Sequence, residues 1–179
     1  MVKKTQQWLN ATYGDKTGFG SVEENGQTGW PTIYALTRAL QIELGITNTA
    51  NNFGPGTQAR FTNRWPNGIA KNSTDDNVHG IIQGALWCKG YEAEYGGITT
   101  KFTDNVADSI QTLKKDMGIG GDSTVTLDIM ECLLSMKQFK LLSSYGGQPE
   151  IRKKPSKRST PAIANGPASF PRTACTDVR

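Results

Sequence analysis

The chain has 179 residues, which is enough for one ordinary domain or for two to three very small ones. No stretch approaches the length of a membrane-spanning helix, and no apolar segment of a secretory signal follows Lys3 and Lys4, so we expect no membrane partner. The net charge of +4 resides in the tail, because residues 152–179 contain seven basic residues and one acidic residue, whereas residues 1–151 contain 13 basic and 15 acidic residues. Because residues 1–151 are nearly neutral, they offer no broad positively charged face for phosphates, so we also expect no nucleic-acid partner.

Cysteine and histidine usage argues against a metal centre. Cys88, Cys132 and Cys175 are far apart and lack a Cys-x-x-Cys spacing, and His79 is the single histidine. Cys88 and Cys132 lie in apolar helical patterns, which favours buried thiols over a disulfide. We therefore expect neither a metal ion nor another cofactor.

The chain repeats one helical pattern. Residues 6–9, Gln-Gln-Trp-Leu, begin a short helix that ends at an aromatic residue, and residues 83–86, Gln-Gly-Ala-Leu, repeat the pattern 77 positions later. Each copy continues with a loop and a longer helix that ends at a glycine, Gly45 or Gly118. The apolar positions of these longer helices recur every three or four residues, namely Ile33, Leu36, Leu40 and Leu44 in the first copy and Val106, Ile110, Leu113 and Met117 in the second.

A third helix follows in each copy. Thr57 is positioned to cap the first of these helices, and Thr126 precedes the apolar run of the second. The segment between the copies is rich in Asn, Ser, Asp and Pro, which is typical of a linker. Because repeats this small are near the lower limit for a self-supporting core, we expect the copies to pack on each other. The sequence therefore predicts an all-α fold of two tandem three-helix repeats (residues 1–62 and 78–145), a linker (residues 63–77) and a disordered, basic, proline-rich tail (residues 146–179).

The most informative segment is the loop at residues 25–32, Asn-Gly-Gln-Thr-Gly-Trp-Pro-Thr, which fits the pattern Asp/Asn-Gly-x-x-Gly-x-x-Thr. Its Asn-Gly suits a tight turn with positive φ, its proline is favoured in a first helical turn, and Thr28 or Thr32 can cap the helix. Together with the preceding Gln-x-x-Leu helix, the loop resembles the peptidoglycan-binding-domain-like repeat of cell-wall hydrolases and phage lysins. The resemblance covers residues 3–62 closely and residues 78–139 loosely.

The resemblance implies a non-catalytic module that binds peptidoglycan, through its glycan or its stem peptide. It implies that full-length relatives carry a catalytic hydrolase domain, as in Firmicute proteins with a glycoside-hydrolase-like domain further along the chain. It also implies a location in the cell wall or outside the cell. No signal peptide is recognised at the start of the sequence, which leaves the export route open. Phage lysins, which stay in the cytoplasm until other proteins release them, show that this does not exclude the cell wall as the destination.

The predicted ligand-binding residues belong to the first loop and to the aromatic rings near it: Phe19, Asn25, Gly26, Gly29, Trp30 and Phe53. Aromatic rings can cover the apolar faces of sugars, although each of these rings has the alternative role of filling a small core. Tyr95 and Phe102 are the corresponding rings of the second copy. There, threonines replace the Asn-Gly of the loop, which favours a structural role for that copy.

We predict no catalytic residues. The carboxylate pairs Glu23-Glu24, Asp75-Asp76 and Glu92/Glu94 lie in polar segments, where solvated surface is a simpler interpretation than a glycosidase pair held across a cleft. No nucleophile stands near His79 in the sequence, so we interpret it as a surface or helix-cap residue. The alternatives are a small cell-wall glycosidase fragment, a structural spacer or interaction repeat without a ligand, and nucleic-acid binding through the tail.

The tail has a second interpretation. Residues 149–153 look like the start of a third copy, after which the helical pattern is lost. Read in a shifted frame, the codons of residues 173–178 permit Asp-Gly-Val-Tyr-Gly-Arg, which is the loop motif in the place that a third copy needs. A frameshift that broke the third repeat of a longer, lysin-like protein is therefore the alternative to a disordered linker. The coding DNA, read in all three frames, distinguishes the two.

Overall fold

The computed structural model describes residues 1–134 and two short strands at residues 140–141 and 173–174. The first of these regions is helical, with α1 (Val2–Tyr13), α2 (Trp30–Glu43), α3 (Pro55–Arg64), α4 (Asp76–Cys88), α5 (Asp104–Asp116) and α6 (Leu127–Leu134). The strands β1 (Lys140–Leu141) and β2 (Thr173–Ala174) pair antiparallel, with Lys140 opposite Ala174. The predicted all-α fold is confirmed for residues 1–134. Apart from β2, the predicted disordered tail lies outside the described residues. Among the helices described, none is long and apolar enough to span a bilayer.

Both long helices end as the sequence predicts. Gly45 and Gly118 follow α2 and α5 in the left-handed region, with φ of 71° and 73°. The amide that follows each glycine donates back to the helix, from Ile46 to the carbonyl of Gln41 (2.8 Å) and from Ile119 to the carbonyl of Lys114 (3.0 Å). These bonds satisfy carbonyls that a helix end leaves without partners, and they need the positive φ that glycine adopts without a steric cost.

The predicted threonine caps of α2 and α3 are wrong, and that of α6 stays a prediction. Glycines, Gly29 and Gly54, are the residues before α2 and α3, and neither helix has a side-chain capping bond. Thr57 lies inside α3, where its Oγ1 accepts a bond from the buried side chain of Gln41. A threonine does cap α5, since Thr103 Oγ1 accepts from the amide of Val106 at 3.3 Å.

Helix α4 is the centre of the molecule. It packs against α1, α2, α5 and α6, and its side chains from Val78 to Leu86 are all buried. The buried apolar side chains form one continuous cluster that draws on both predicted copies. The two halves therefore share a single core, which suits units too small to support a core of their own.

Two glycines allow the close packing around α4. A Cβ atom added at Gly84 would lie 2.5 Å from Thr5 Cγ2 in α1 and 3.1 Å from Leu36 Cδ2 in α2. A Cβ atom added at Gly80, one turn earlier, would lie 2.5 Å from the ring of Trp8. Because positions four apart lie on one helix face, the two glycines form a shallow groove in which α1 rests.

The connection between α3 and α4, within the predicted linker of residues 63–77, is packed on the core. Ile69 is fully buried, and its amide and carbonyl exchange bonds of 2.9 and 2.8 Å with Val125. Asp75 accepts from Arg64 Nη2 at 2.5 Å and from the indole nitrogen of Trp65 at 2.9 Å. This segment therefore holds the two halves in one arrangement, while the predicted limits of the repeats stay a prediction.

Candidate functional site

The first predicted binding loop is held by a buried glutamine. Gln6 of α1 is 1% exposed, and its Nε2 donates to Asn25 Oδ1 (3.1 Å), the carbonyl of Gln27 (3.2 Å) and Thr32 Oγ1 (3.0 Å). Its Oε1 accepts from the amide of Gly26 at 2.8 Å. Gly26 has φ of 74°, so the predicted tight turn is confirmed. A single side chain from α1 thus fixes the turn and joins it to α2.

The remaining polar groups of this loop are also used within the chain. Asn25 Oδ1 accepts from the amide of Gln27 at 2.9 Å, and its Nδ2 donates to Glu23 at 3.1 Å. Thr28 Oγ1 donates to the carbonyl of Cys88 at the end of α4, at 2.9 Å. The loop with the Asn-Gly turn therefore joins α1, α2 and α4. Only its exposed atoms could contact a ligand.

The second loop reproduces this clamp with different residues. Gln83 of α4 is fully buried, and its Nε2 donates to Thr99 Oγ1 (3.0 Å) and to the carbonyl of Lys101 (2.6 Å), while its Oε1 accepts from the amide of Thr99 (2.9 Å). Thr100 follows with φ of 55°, the one positive φ outside glycine in the described part of the chain. Thr99 thus stands where Asn25 does, and Thr100 takes the turn conformation of Gly26.

Other hydrogen bonds recur in the two halves. Tyr13 at the end of α1 donates to Glu43 at the end of α2, and Tyr91 just after α4 donates to Asp116 at the end of α5, both at 2.9 Å. Burial and the neighbouring Glu43 carboxylate raise the pKa of Tyr13, so its hydroxyl stays a donor. These paired contacts favour the predicted tandem repeat.

The aromatic rings predicted to bind sugar differ in how deeply they are buried. Phe19, Phe53 and Phe102 are 0%, 6% and 6% exposed, so these rings fill the core and have no face for a sugar. Their predicted stacking role does not fit these positions. Trp30 is half-buried at the start of α2, stacked on Tyr34 with ring centroids 6.1 Å apart. Tyr95 is 42% exposed, which leaves Trp30 and Tyr95 as the two predicted rings with accessible surface.

His79 differs from its interpretation as a surface residue. It is 2% exposed, its Nε2 lies 2.9 Å from Ser73 Oγ, and its ring meets Phe102 edge-on with centroids 5.4 Å apart. Burial lowers the pKa of His79, against smaller opposite effects of a backbone hydrogen bond with Thr100 and of the Asp76 and Asp75 carboxylates. No motif in the sequence indicates this contact, because Ser73 reaches the ring from the segment before α4.

The carboxylates serve structural contacts. Glu94 accepts from Thr103 at 2.7 Å, and Lys101 pairs with Asp76 at 3.0 Å. Burial would raise the pKa of Asp75, but its bonds from Trp65 and Arg64 outweigh this effect and lower it. Among the described residues, no group of three potential ligands is placed to hold a metal ion. Cys88 is a buried free thiol, as predicted, and burial raises its pKa to about 12.

An open cavity of about 390 Å³ lies between the end of α2 and the start of α3. Its lining includes Gln41, Gly45, Thr47, Asn48, Gly56 and Arg60. No pattern in the sequence indicates this cavity. The polar, charge-poor segment at residues 47–57 has the composition of an ordinary loop, and only the fold brings Arg60 beside it.

The first half of the chain is similar to a described domain family. Residues 1–83 match the family model of the FadG/YbfG, PGDB-like domain. This description names a fold of the peptidoglycan-binding type, which confirms the predicted resemblance at that level. The matched region runs from α1 through the clamped loop and α3 into α4, as far as Gln83.

Two curated relatives come from Bacillus subtilis (strain 168). The chain is 49% identical to the "Uncharacterized protein YbfG" over 153 residues, which is 85% of this chain and 20% of that protein. It is 45% identical to the "Uncharacterized protein FadG" over 153 residues, or 85% of this chain and 26% of that protein. The chain thus spans about a fifth to a quarter of the length of these relatives. No solved structure matches it.

Proposed function

We propose that this chain is a non-catalytic module that binds peptidoglycan and positions a cell-wall hydrolase. The observation that carries the proposal is the match of residues 1–83 to a PGDB-like domain. The much greater length of the two relatives is consistent with further domains beside such a module. The location that goes with this function is the cell wall or the outside of the cell.

The surfaces that support binding lie beside the two clamped loops. Trp30 directly follows the first loop, and Tyr95 lies shortly before the second. The exposed part of an aromatic ring can cover the apolar face of a sugar, and nearby loop groups can bind its hydroxyl or acetamido substituents. Because each loop is tied to a buried glutamine, these groups are held in place before a ligand arrives, which reduces the ordering that binding requires.

The two carboxylates with a shifted pKa, Asp75 and Asp122, lack the property of a glycosidase acid. A glycosidase acid needs a raised pKa, so that it holds a proton near neutral pH. The pKa of Asp75 is lowered by its bonds from Trp65 and Arg64, and that of Asp122 is lowered by its bonds from Thr124 and Lys114. Both shifts are opposite to the direction that this chemistry requires.

A pull-down on purified sacculi tests the proposal. We expect the chain to be retained at moderate salt, and Trp30→Ala and Tyr95→Ala each to weaken retention about fivefold, since losing a ring contact costs about 1 kcal/mol. Ile119→Ala is the matched control, because Ile119 is 45% exposed and lies outside both loops. No retention of the unaltered chain would favour a spacer. Clearing of cell walls in a zymogram would show that the module is an enzyme.

A further inference from the structure

We infer that the cavity between α2 and α3 binds the free carboxylate of a short peptide. Its volume of about 390 Å³ lies within the range of small-molecule sites in proteins. The choice of a peptide rests on the proposed function, because the stem peptides of peptidoglycan end in a carboxylate. The preference for an anion rests on the cavity itself.

Arg60 supplies the positive charge of this cavity. Among the described residues that line it, Arg60 is the only charged one. Its Nη1 donates to the carbonyls of Leu44 and Gly45 at 3.2 and 3.3 Å, which fixes the guanidinium at the end of α2. Within residues 1–134 no carboxylate pairs with it. A guanidinium has five N–H donors in a planar fork, so donors remain for a ligand carboxylate.

The first turn of α3 lines the same cavity. It holds no acidic residue and has no side-chain cap, and Pro55 has no N–H to offer. Gly56 and Thr57 are among the lining residues, and their amides donate to no acceptor in the described residues. Amides at the start of a helix carry partial positive charge, so they add to the attraction that Arg60 exerts on an anion.

The second half shows a carboxylate at the corresponding turn. There, the buried Lys114 donates to the carbonyl of Asp122 at 2.9 Å and to its Oδ1 at 3.3 Å, and Oδ1 also accepts from the amide of Thr124 at 2.9 Å. In the first half, the equivalent bond runs from Gln41 Nε2 to the carbonyl of Asn52 at 2.9 Å. The second half therefore closes this turn with an ion pair of its own, whereas the first half closes it with the neutral pair of Gln41 and Asn52. The charge that the cavity of the first half offers to an anion is that of Arg60.

The test is a titration of the full chain with Lys-D-Ala-D-Ala acetylated on both amines, and with the same tripeptide as its C-terminal amide. Calorimetry gives the affinity, and ¹⁵N nuclear magnetic resonance shows which amides respond. We expect the acid to shift the signals of Gly56 and Thr57 and to bind at least tenfold more tightly than the amide. Arg60→Gln should weaken acid binding at least tenfold. Lys115→Gln, which removes an exposed charge from α5, should leave it unchanged.

A second variant guards against a folding defect in Arg60→Gln, since Arg60 also holds the end of α2. Asn48 is exposed and lines the cavity, so Asn48→Asp places a negative charge there in an isosteric side chain and should weaken acid binding several-fold. Equal affinity for acid and amide, or unchanged binding in both variants, would overturn the inference. Retention on sacculi without any peptide binding would also overturn it while the proposed function stands. If the peptide binds as expected but the chain is not retained on sacculi, the cavity is a carboxylate site and the proposed function is wrong.

Discussion

The packing at Gly84 leads to a sharp prediction about stability. In Gly84→Ala the new methyl group would lie 2.5 Å from Thr5 Cγ2 and 3.1 Å from Leu36 Cδ2, well inside normal contact distance. Thr5 is fully buried and β-branched, so its side chain has few rotamers with which to relieve the contact. Overpacking costs about 1–3 kcal/mol, and an approach of 2.5 Å belongs to the upper part of that range, about 2–3 kcal/mol, of which the better helix propensity of alanine returns about 0.5–1 kcal/mol. We expect a net loss of about 1–2 kcal/mol in the free energy of unfolding.

Gly56→Ala is the matched control. Gly56 is also helical, in α3, but a Cβ atom there would meet nothing within 4 Å. The same substitution should therefore stabilise the protein by about 0.5–1 kcal/mol, because only the propensity effect remains. Urea unfolding followed by circular dichroism measures both variants. If Gly84→Ala is as stable as the unaltered chain, the close approach of α1, α2 and α4 described above is wrong.

Three further predictions concern the clamps and the buried histidine. Gln6→Glu keeps the acceptor for Gly26 but loses the amide donor, so we expect a loss of about 2–3 kcal/mol in urea unfolding, and an unchanged midpoint would contradict the clamp. Thr100→Gly should stabilise by up to about 1 kcal/mol in the same assay, because a β-branched residue at φ of 55° is strained. The pKa of His79 is lowered in the folded state by burial, so the unfolded chain binds its proton first and stability should fall as the pH drops below the ordinary pKa of about 6.5. His79→Gln should reduce that slope in thermal melts, and an equal slope in both proteins would assign the effect to other groups.

The sequence predicted the helices well because their signals are local. The apolar spacing of Ile33, Leu36 and Leu40 and the glycine at position 45 lie within one segment, and each has a direct structural consequence. The caps were harder to predict. Thr57 has the residue type and position of a cap, but the buried Gln41 takes its hydroxyl oxygen as an acceptor, and nothing near Thr57 in the sequence indicates this contact.

The candidate site was predictable only in part, because burial depends on how the two halves meet. The loop containing Gly26 was identified from its turn chemistry. However, Phe19 and Phe53 have the same sequence signature as exposed rings, and only the shared core shows that they are enclosed. The cavity at Arg60 also depends on the fold, since a guanidinium from α3 reaches the end of α2 across fifteen or more positions of the chain.

The clamps change what the loop motif indicates about binding. The Asn-Gly pair provides an acceptor oxygen for a buried glutamine and a residue at positive φ, and in the second half Thr99 and Thr100 meet both needs. Because threonines can replace the Asn-Gly pair in this turn, the loop pattern reflects what folding of the turn requires and does not by itself indicate a binding site. Specific recognition should then reside where the halves differ in chemistry. At the turn after the second helix of each half, one half holds its own carboxylate at Asp122 and the other presents Arg60 and amides to an open cavity. Variants at Arg60 therefore test recognition more directly than variants of the Asn-Gly turn, whose loss would first unfold the loop.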